Sequence, residues 1–184
     1  MPELRVVTQN IWGINEHWQE RADAIGRNMV DLEVDIVCIQ ESAPDHFEVL
    51  KSQSFSSFPH ASYAPGDDGS VTPMPLGLAM ISRLPLLDTG KVDIGRERER
   101  SNPWMRILQY MTVATPSGHP LTVFNTHLFL SSGQKASGIR ACLDFMQRDS
   151  LDRVVSVSQV NTEAIVDGSL LLSDHIGVMA TIAQ

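Results

Sequence analysis

A chain of 184 residues is long enough for one domain with a sizeable core. Its hydrophobic share of 42% and charged share of 20% are ordinary for a soluble globular protein, and no apolar run reaches the about 20 residues of a membrane span. The net charge of −8 speaks against gripping duplex nucleic acid through its phosphates, unless the basic residues cluster.

The opening Met1-Pro2-Glu3-Leu4-Arg5 lacks the basic-then-apolar layout of a signal peptide. Cys38 lies in an apolar run and Cys142 in a predicted helix, so both thiols are expected to be buried as small hydrophobes. A reducing cytoplasm is the expected compartment.

Leu4 to Gln9 reads as a strand with an apolar centre, and Asn10-Ile11-Trp12-Gly13 as the turn after it. Between residues 16 and 33, Trp18, Ala22, Ile25, Met29 and Leu32 recur at helical spacing, with Glu20, Arg21, Asp23, Arg27 and Asp31 on the other face. Asp35 to Gln40 is a continuous apolar run of strand length, expected to be covered on both faces, and it ends abruptly in Gln40-Glu41. The opening is thus strand, helix, strand. If the two strands are parallel neighbours, Asn10 and Glu41 share one rim of the sheet, where open α/β sheets bind ligands.

Residues 45 to 51 read as a short helix, and residues 54 to 75, rich in Ser, Pro, Gly and Asp, as an irregular connection. Leu78 to Ser82 is a strand, Arg83-Leu84-Pro85 a turn, and Leu86 to Ile94 a further strand. Arg96 to Arg100 alternates in sign and reads as a solvated loop. Met105 to Thr115 and Leu121 to Asn125 flank a hairpin turn at 116–120, and the second of them runs into Thr126-His127-Leu128. Ser137 to Gln147 has helical spacing at Ile139, Cys142, Leu143 and Met146. Val154 to Val160 alternates as a strand, and Asn161 to Asp167 is a second short candidate. The chain closes on Leu172-Ser173-Asp174-His175 and an alternating run at Ile176, Val178, Ala180 and Ile182. No repeat or linker divides it.

The polar residues at the ends of these strands form a set: Asn10, Glu41, Asn125-Thr126-His127, Asp152 and Asp174-His175. Few carboxylates with amides and imidazoles suit a hard divalent cation that keeps most of its waters, as magnesium does beside a substrate phosphate. Two His residues, one taking a proton and one donating a hydrogen bond, suit phosphoester hydrolysis. Each residue also has a plainer reading. Asn10 and Asp152 could be turn residues, Glu41 a helix-capping acid, His127 a partner of the backbone, and Asp174-His175 a polar turn. His17, His46, His60 and His119 are expected to be solvated, and Trp12, Trp18 and Trp104 to serve packing.

Thr8 to Gly13, Asp35 to Glu41, Gly77 to Arg83, Asn125 to Leu128 and Ser173 to His175, in that order, resemble the endonuclease/exonuclease/phosphatase superfamily of DNase I-like phosphoesterases. The resemblance spans nearly the whole chain and implies an α/β (α+β) fold, a four-layer α/β/β/α sandwich of two mixed sheets with the active site at one rim. By position it makes Glu41 a magnesium ligand, with manganese as an alternative, and Asn10 a contact to metal or phosphate. It makes His127 a partner of the scissile phosphate or leaving group, His175 the general base, and Asp174 the neighbouring metal-side carboxylate. Consecutive residues of an extended segment point opposite ways, so a third carboxylate is needed to orient His175. Asp152 stands where the family often has Asp before a strand.

One family motif is missing: Gly-Asp-Phe-Asn, which should stand between Thr126-His127-Leu128 and Asp174-His175. The nearest match, Leu143-Asp144-Phe145-Met146, falls in the predicted helix. The expectation is loss of a strand-helix unit, with Asp144 on the remaining helix; the alternative makes Asp144 the motif Asp in degraded form. An impaired enzyme, a variant with a substitute ligand and a shortened chain all accommodate the gap. The functional expectation is a magnesium-dependent phosphoesterase on a small or lipid-linked phosphate ester. Its alternatives are a silent binding domain of the same fold and a nuclease. The nuclease would need Arg96, Arg98, Arg100, Arg106 and Lys135 gathered at the rim.

Overall fold

A computed structural model describes residues 3–13, 16–66, 76–96, 105–128, 132–146, 154–160, 164–165, 170–171 and 177–183. From 154 onward the description is of the backbone. Strand β1 (Glu3–Asn10), helix α1 (Trp18–Asp31) and strand β2 (Ile36–Ser42) open the chain. After them come α2 (Pro44–Val49), one π turn at Leu50–Ser54, and strands β3 (His60–Pro65), β4 (Gly77–Ser82) and β5 (Leu86–Arg96). Strands β6 (Met105–Ala114) and β7 (Pro120–Thr126) and helix α3 (Ser132–Met146) follow. The described strands that close the chain are β8 (Val154–Val160), β9 (Ala164–Ile165), β10 (Leu170–Leu171) and β11 (Gly177–Ala183).

Six strands form one sheet in the order β3-β4-β2-β1-β11-β8, and β5-β6-β7 form a second. In the first sheet β1 and β2 run parallel, and every other pairing is antiparallel. Sheet one is therefore mixed, as expected. The second sheet is antiparallel throughout its described strands, a correction to the expectation of two mixed sheets. Its hairpins need only short turns, whereas a parallel pair needs a crossover.

The layers follow from which face each residue buries. On the outer face of the first sheet, Val7, Ile11, Val37, Ile39, Ala79 and Ile81 pack against Ala22, Ile25 and Met29 of α1. Ile25 and Met29 are fully buried, and each contributes about 1.5–3 kcal/mol by leaving water. On the inner face, Ile36, Cys38 and Met80 meet Met111, Val113 and Val123 of the second sheet. Beyond that sheet, Phe145 of α3 packs on Tyr110 and Phe124. The order helix, sheet, sheet, helix is the expected four-layer sandwich.

Three local expectations are corrected. The polar stretch 54–75 contains β3, because pairing with β4 along His60↔Ser82 to Pro65↔Gly77 supplies the order its composition does not. Arg21 is 1% exposed and not on a solvated face. Its Nη2 donates to the Trp12 carbonyl at 2.9 Å, its Nη1 donates to the Glu16 carbonyl, and the guanidinium lies 5.4 Å from the Trp12 ring centroid. His46 is buried as well, stacked on Trp18 with ring centroids 3.8 Å apart, whereas His17 and His119 are exposed as expected.

Candidate active site

The parallel register sets Asn10 beside Gln40, so β1 and β2 end at the same rim. Alternation along β2 would send Glu41 the way of Val37 and Ile39, toward α1. A bulge prevents this. Opposite β4, Gln40 pairs with Leu78 and Ser42 with the adjacent Gly77, which leaves Glu41 as the extra residue. Its φ of 62° lies in the left-handed region, which costs a non-glycine residue about 1–2 kcal/mol. The result is a carboxylate turned toward the second sheet. There it lines a small pocket with Arg106 and Ile107 of β6, Leu78 and His127.

Asn10 holds that carboxylate. Its Nδ2 donates to Glu41 Oε1 at 3.0 Å, while its Oδ1 accepts the Trp12 backbone N–H at 2.8 Å. Asn10 thus also braces the turn, where Trp12 has a φ of 52°. Gly13 then runs over the Glu41 carbonyl, so close that a Cβ built on it would lie 2.1 Å from the oxygen. Two left-handed residues, Trp12 and Glu41, at one sheet rim are strain of the kind that clusters at functional sites.

His127 follows the last residue of β7 and brings Nε2 to 3.9 Å from Glu41 Oε1. Its side chain is 25% exposed and that of Glu41 is 14%, so both reach the pocket mouth. Arg106 is buried and adds the only cation among the described residues lining this pocket. The structure therefore brings together Asn10, Glu41 and His127 of the expected set. The sequence singles out Arg106 only as one of the five basic residues a nuclease would gather.

Asp174, His175 and Asp152 lie outside the described residues. Strand β11 begins at Gly177, and the pairing Thr8↔Val178 sets that start at the Asn10 end of β1. Strand β8 runs the other way. Its first residue, Val154, pairs with Ile182, which also pairs with Leu4 at the far end of β1. Leu4 and Asn10 are six strand residues apart, or about 20 Å. Asp144 lies on α3 and is exposed, as expected for a helical position outside the pocket. Of the five basic residues a nuclease would gather, Arg106 lines the pocket and Lys135 is exposed on α3. Arg98 and Arg100 and the side chain of Arg96 lie outside the described residues.

Among the described residues no three His, Cys, Asp or Glu side chains converge. Glu41, with the Asn10 amide beside it, fits a magnesium ion that keeps most of its waters better than it fits a closed structural site.

The model of the endonuclease/exonuclease/phosphatase family matches residues 7–149. The chain belongs to this family. A curated relative, the inositol phosphosphingolipids phospholipase C of Schizosaccharomyces pombe (strain 972 / ATCC 24843), is 28% identical over 150 residues, which is 73% of this chain. That match spans only 33% of the relative's length. Among solved structures, humanized TDP2 of D. rerio aligns with a TM-score of 0.76 at 16% identity, covering 99% of both chains. A functionally unknown conserved protein of Enterococcus faecalis V583 aligns at 0.76 with 17% identity, covering 98% of this chain and 99% of that one. TDP2 of Caenorhabditis elegans aligns at 0.77 with 13% identity, covering 100% of this chain and 75% of that one. These likenesses bear out the DNase I-like fold and the family as a phosphoesterase family.

Proposed function

We propose that this member is a magnesium-dependent phosphoesterase acting on a small or lipid-linked phosphodiester or phosphomonoester. The observation that carries the reading is the bulge at Glu41, which turns a carboxylate held by Asn10 against its strand's alternation, into one pocket with Arg106 and His127. Glu41 would hold the ion, with Asp174 beside it and manganese as a substitute. Bound there, magnesium supplies a Lewis acid to the phosphoryl oxygens.

The chain's own groups carry the rest. His175 takes a proton from a water whose oxygen then attacks phosphorus, and the bond from phosphorus to the leaving oxygen breaks. His127 donates a hydrogen bond to a phosphate oxygen or protonates the leaving oxygen. Arg106 offsets negative charge from the buried side of the pocket. Asn10 fixes the Glu41 carboxylate. A lipid-linked ester is favoured by the phosphosphingolipid in the name of the fission-yeast relative. A cytoplasmic setting belongs to the same reading, because Cys38 and Cys142 are both free thiols.

The test is hydrolysis of a nitrophenyl phosphodiester, a choline-phosphate ester and a single-stranded oligonucleotide, each with magnesium and with chelator. Magnesium-dependent turnover of the first two, lost in His175→Ala, is the expected result; equal rates for wild type and that variant would sink the reading. A second reading, a catalytically silent domain that binds phosphorylated ligands, is favoured by the exposed position of Asp144 on α3. It predicts no turnover on any of the three.

A further inference from the structure

The two sheets are joined by a polar strut that sits directly behind the pocket. Asn125, on β7, is 2% exposed and reaches across the sandwich. Its Nδ2 donates to the carbonyls of Ile39 at 3.1 Å and Ala79 at 3.2 Å, residues that face each other in the β2–β4 ladder. Gln109 Oε1 lies 3.4 Å from the same nitrogen. Asn125 Oδ1 accepts from Gln40 Nε2 at 2.7 Å, and that nitrogen also donates to Thr8 Oγ1 at 2.8 Å. One buried amide thus ties β7 to β2 and β4 directly, and to β1 through Gln40.

Its place in the chain gives the strut its meaning. Ile39 and Gln40 immediately precede the bulge that turns Glu41, and His127 lies two residues beyond Asn125. The carboxylate belongs to one sheet and the imidazole to the other. Polar contacts from Gln109, Thr89 and Lys91 also cross between the sheets, but they reach β3, at Ser62 and Pro65. Beside β2 the inner faces meet through apolar side chains such as Met80, Met111 and Val123, contacts without direction. Hydrogen bonds to two backbone carbonyls are directional.

We propose that Asn125 is a positioning residue that fixes the bulge at Glu41 and the distance from Glu41 to His127. Its catalytic meaning rests on the function proposed above; its mechanical meaning does not. Asn125→Ser shortens the side chain and withdraws both carbonyl contacts, and Asn125→Leu removes every polar contact at similar volume. If neither folds, Gln40→Met, which removes the donor to Oδ1, serves in their place. Met29→Ala, in the α1 core, is the control for general loss of stability.

Two measurements on the full chain test the proposal. The first is turnover of the nitrophenyl phosphodiester: kcat should fall on the order of a hundredfold, the scale of a misplacement near 1 Å, with KM close to wild type, and Met29→Ala should show neither change. The second is amide hydrogen exchange over residues 39–42 and 124–128, which needs no activity. Both segments should exchange faster together in the Asn125 variant and not in the control. Wild-type kcat in a folded Asn125 variant, or acceleration of one segment alone, would overturn the proposal. If the wild-type protein turns nothing over, the proposed function fails and the exchange result alone decides the strut.

Discussion

Gly13 rests on the backbone carbonyl of Glu41, and the missing side chain is what lets the turn after β1 close over the end of β2. An alanine Cβ would meet that oxygen at 2.1 Å and the His46 Nδ1 at 3.0 Å. Backbone cannot step aside as a flexible side chain would, so Gly13→Ala should push the bulge at Glu41 out of place. The expected cost is about 1–3 kcal/mol, the range for overpacking, read as a lower denaturation midpoint, with turnover falling further than stability alone explains.

Asn10 is expected to matter for rate more than for folding. Asn10→Leu removes the donor to Glu41 Oε1 and the acceptor for the Trp12 N–H. Its kcat should fall on the order of a hundredfold, the scale for one lost preorganised hydrogen bond. Glu41→Gln is the companion: it should abolish the difference between magnesium and chelator. A Glu41→Gln enzyme still activated by magnesium would show that the ion is held elsewhere.

Arg21 should not be replaceable by Lys. Its two hydrogen bonds to the Trp12 and Glu16 carbonyls use the guanidinium fork, and the group also lies over the Trp12 ring. Arg21→Lys should lower stability by about 1–3 kcal/mol, the cost of leaving hydrogen bonds of a buried side chain unmade. A midpoint equal to wild type in urea would refute it.

Burial lowers the His46 pKa, and the nearby Asp45 only partly opposes this. The folded state therefore prefers the neutral ring more than the unfolded chain does. That contribution is complete above the unfolded value near 6.5 and is lost as pH falls through it toward the lower folded value. Unfolding free energy should thus decline between about pH 7 and pH 5, by at most about 1.4 kcal/mol per pH unit for one proton. His46→Phe, which keeps a ring against Trp18, should flatten that slope in urea titrations at several pH values.

Burial pushes the Cys38 thiol up to about 12. Alkylation of the native protein at pH 8 should leave Cys38 unmodified, because the thiolate is the reactive form. Cys142 is also pushed up by burial, with side-chain hydrogen bonding to Thr126 opposing it, so it should label first. Mass spectrometry of native and unfolded samples separates the two.

The opening strand-helix-strand, the β4 strand and the β6–β7 hairpin are legible in the chain because apolar runs and the periods of 2 and 3.6 record which faces are buried; α3 is legible from spacing alone, since its Ile139 and Leu143 stay exposed. The sequence also names Asn10, Glu41 and His127, since polar residues that stop an apolar run stand at strand ends. Where those ends point is set by the pairing of strands and the stacking of the two sheets. Alternation alone would turn Glu41 toward α1; a one-residue bulge against β4 turns it to the pocket. The burial of Arg21 and His46 comes from a loop folding back over β2, which no local period encodes. The same holds for β3, which is a strand because β4 lies beside it. Gln40, Gln109 and Asn125 were visible as polar residues in apolar strands. That they meet required two sheets to stack, because hydrogen bonds across a sandwich depend on its register and not on spacing along the chain.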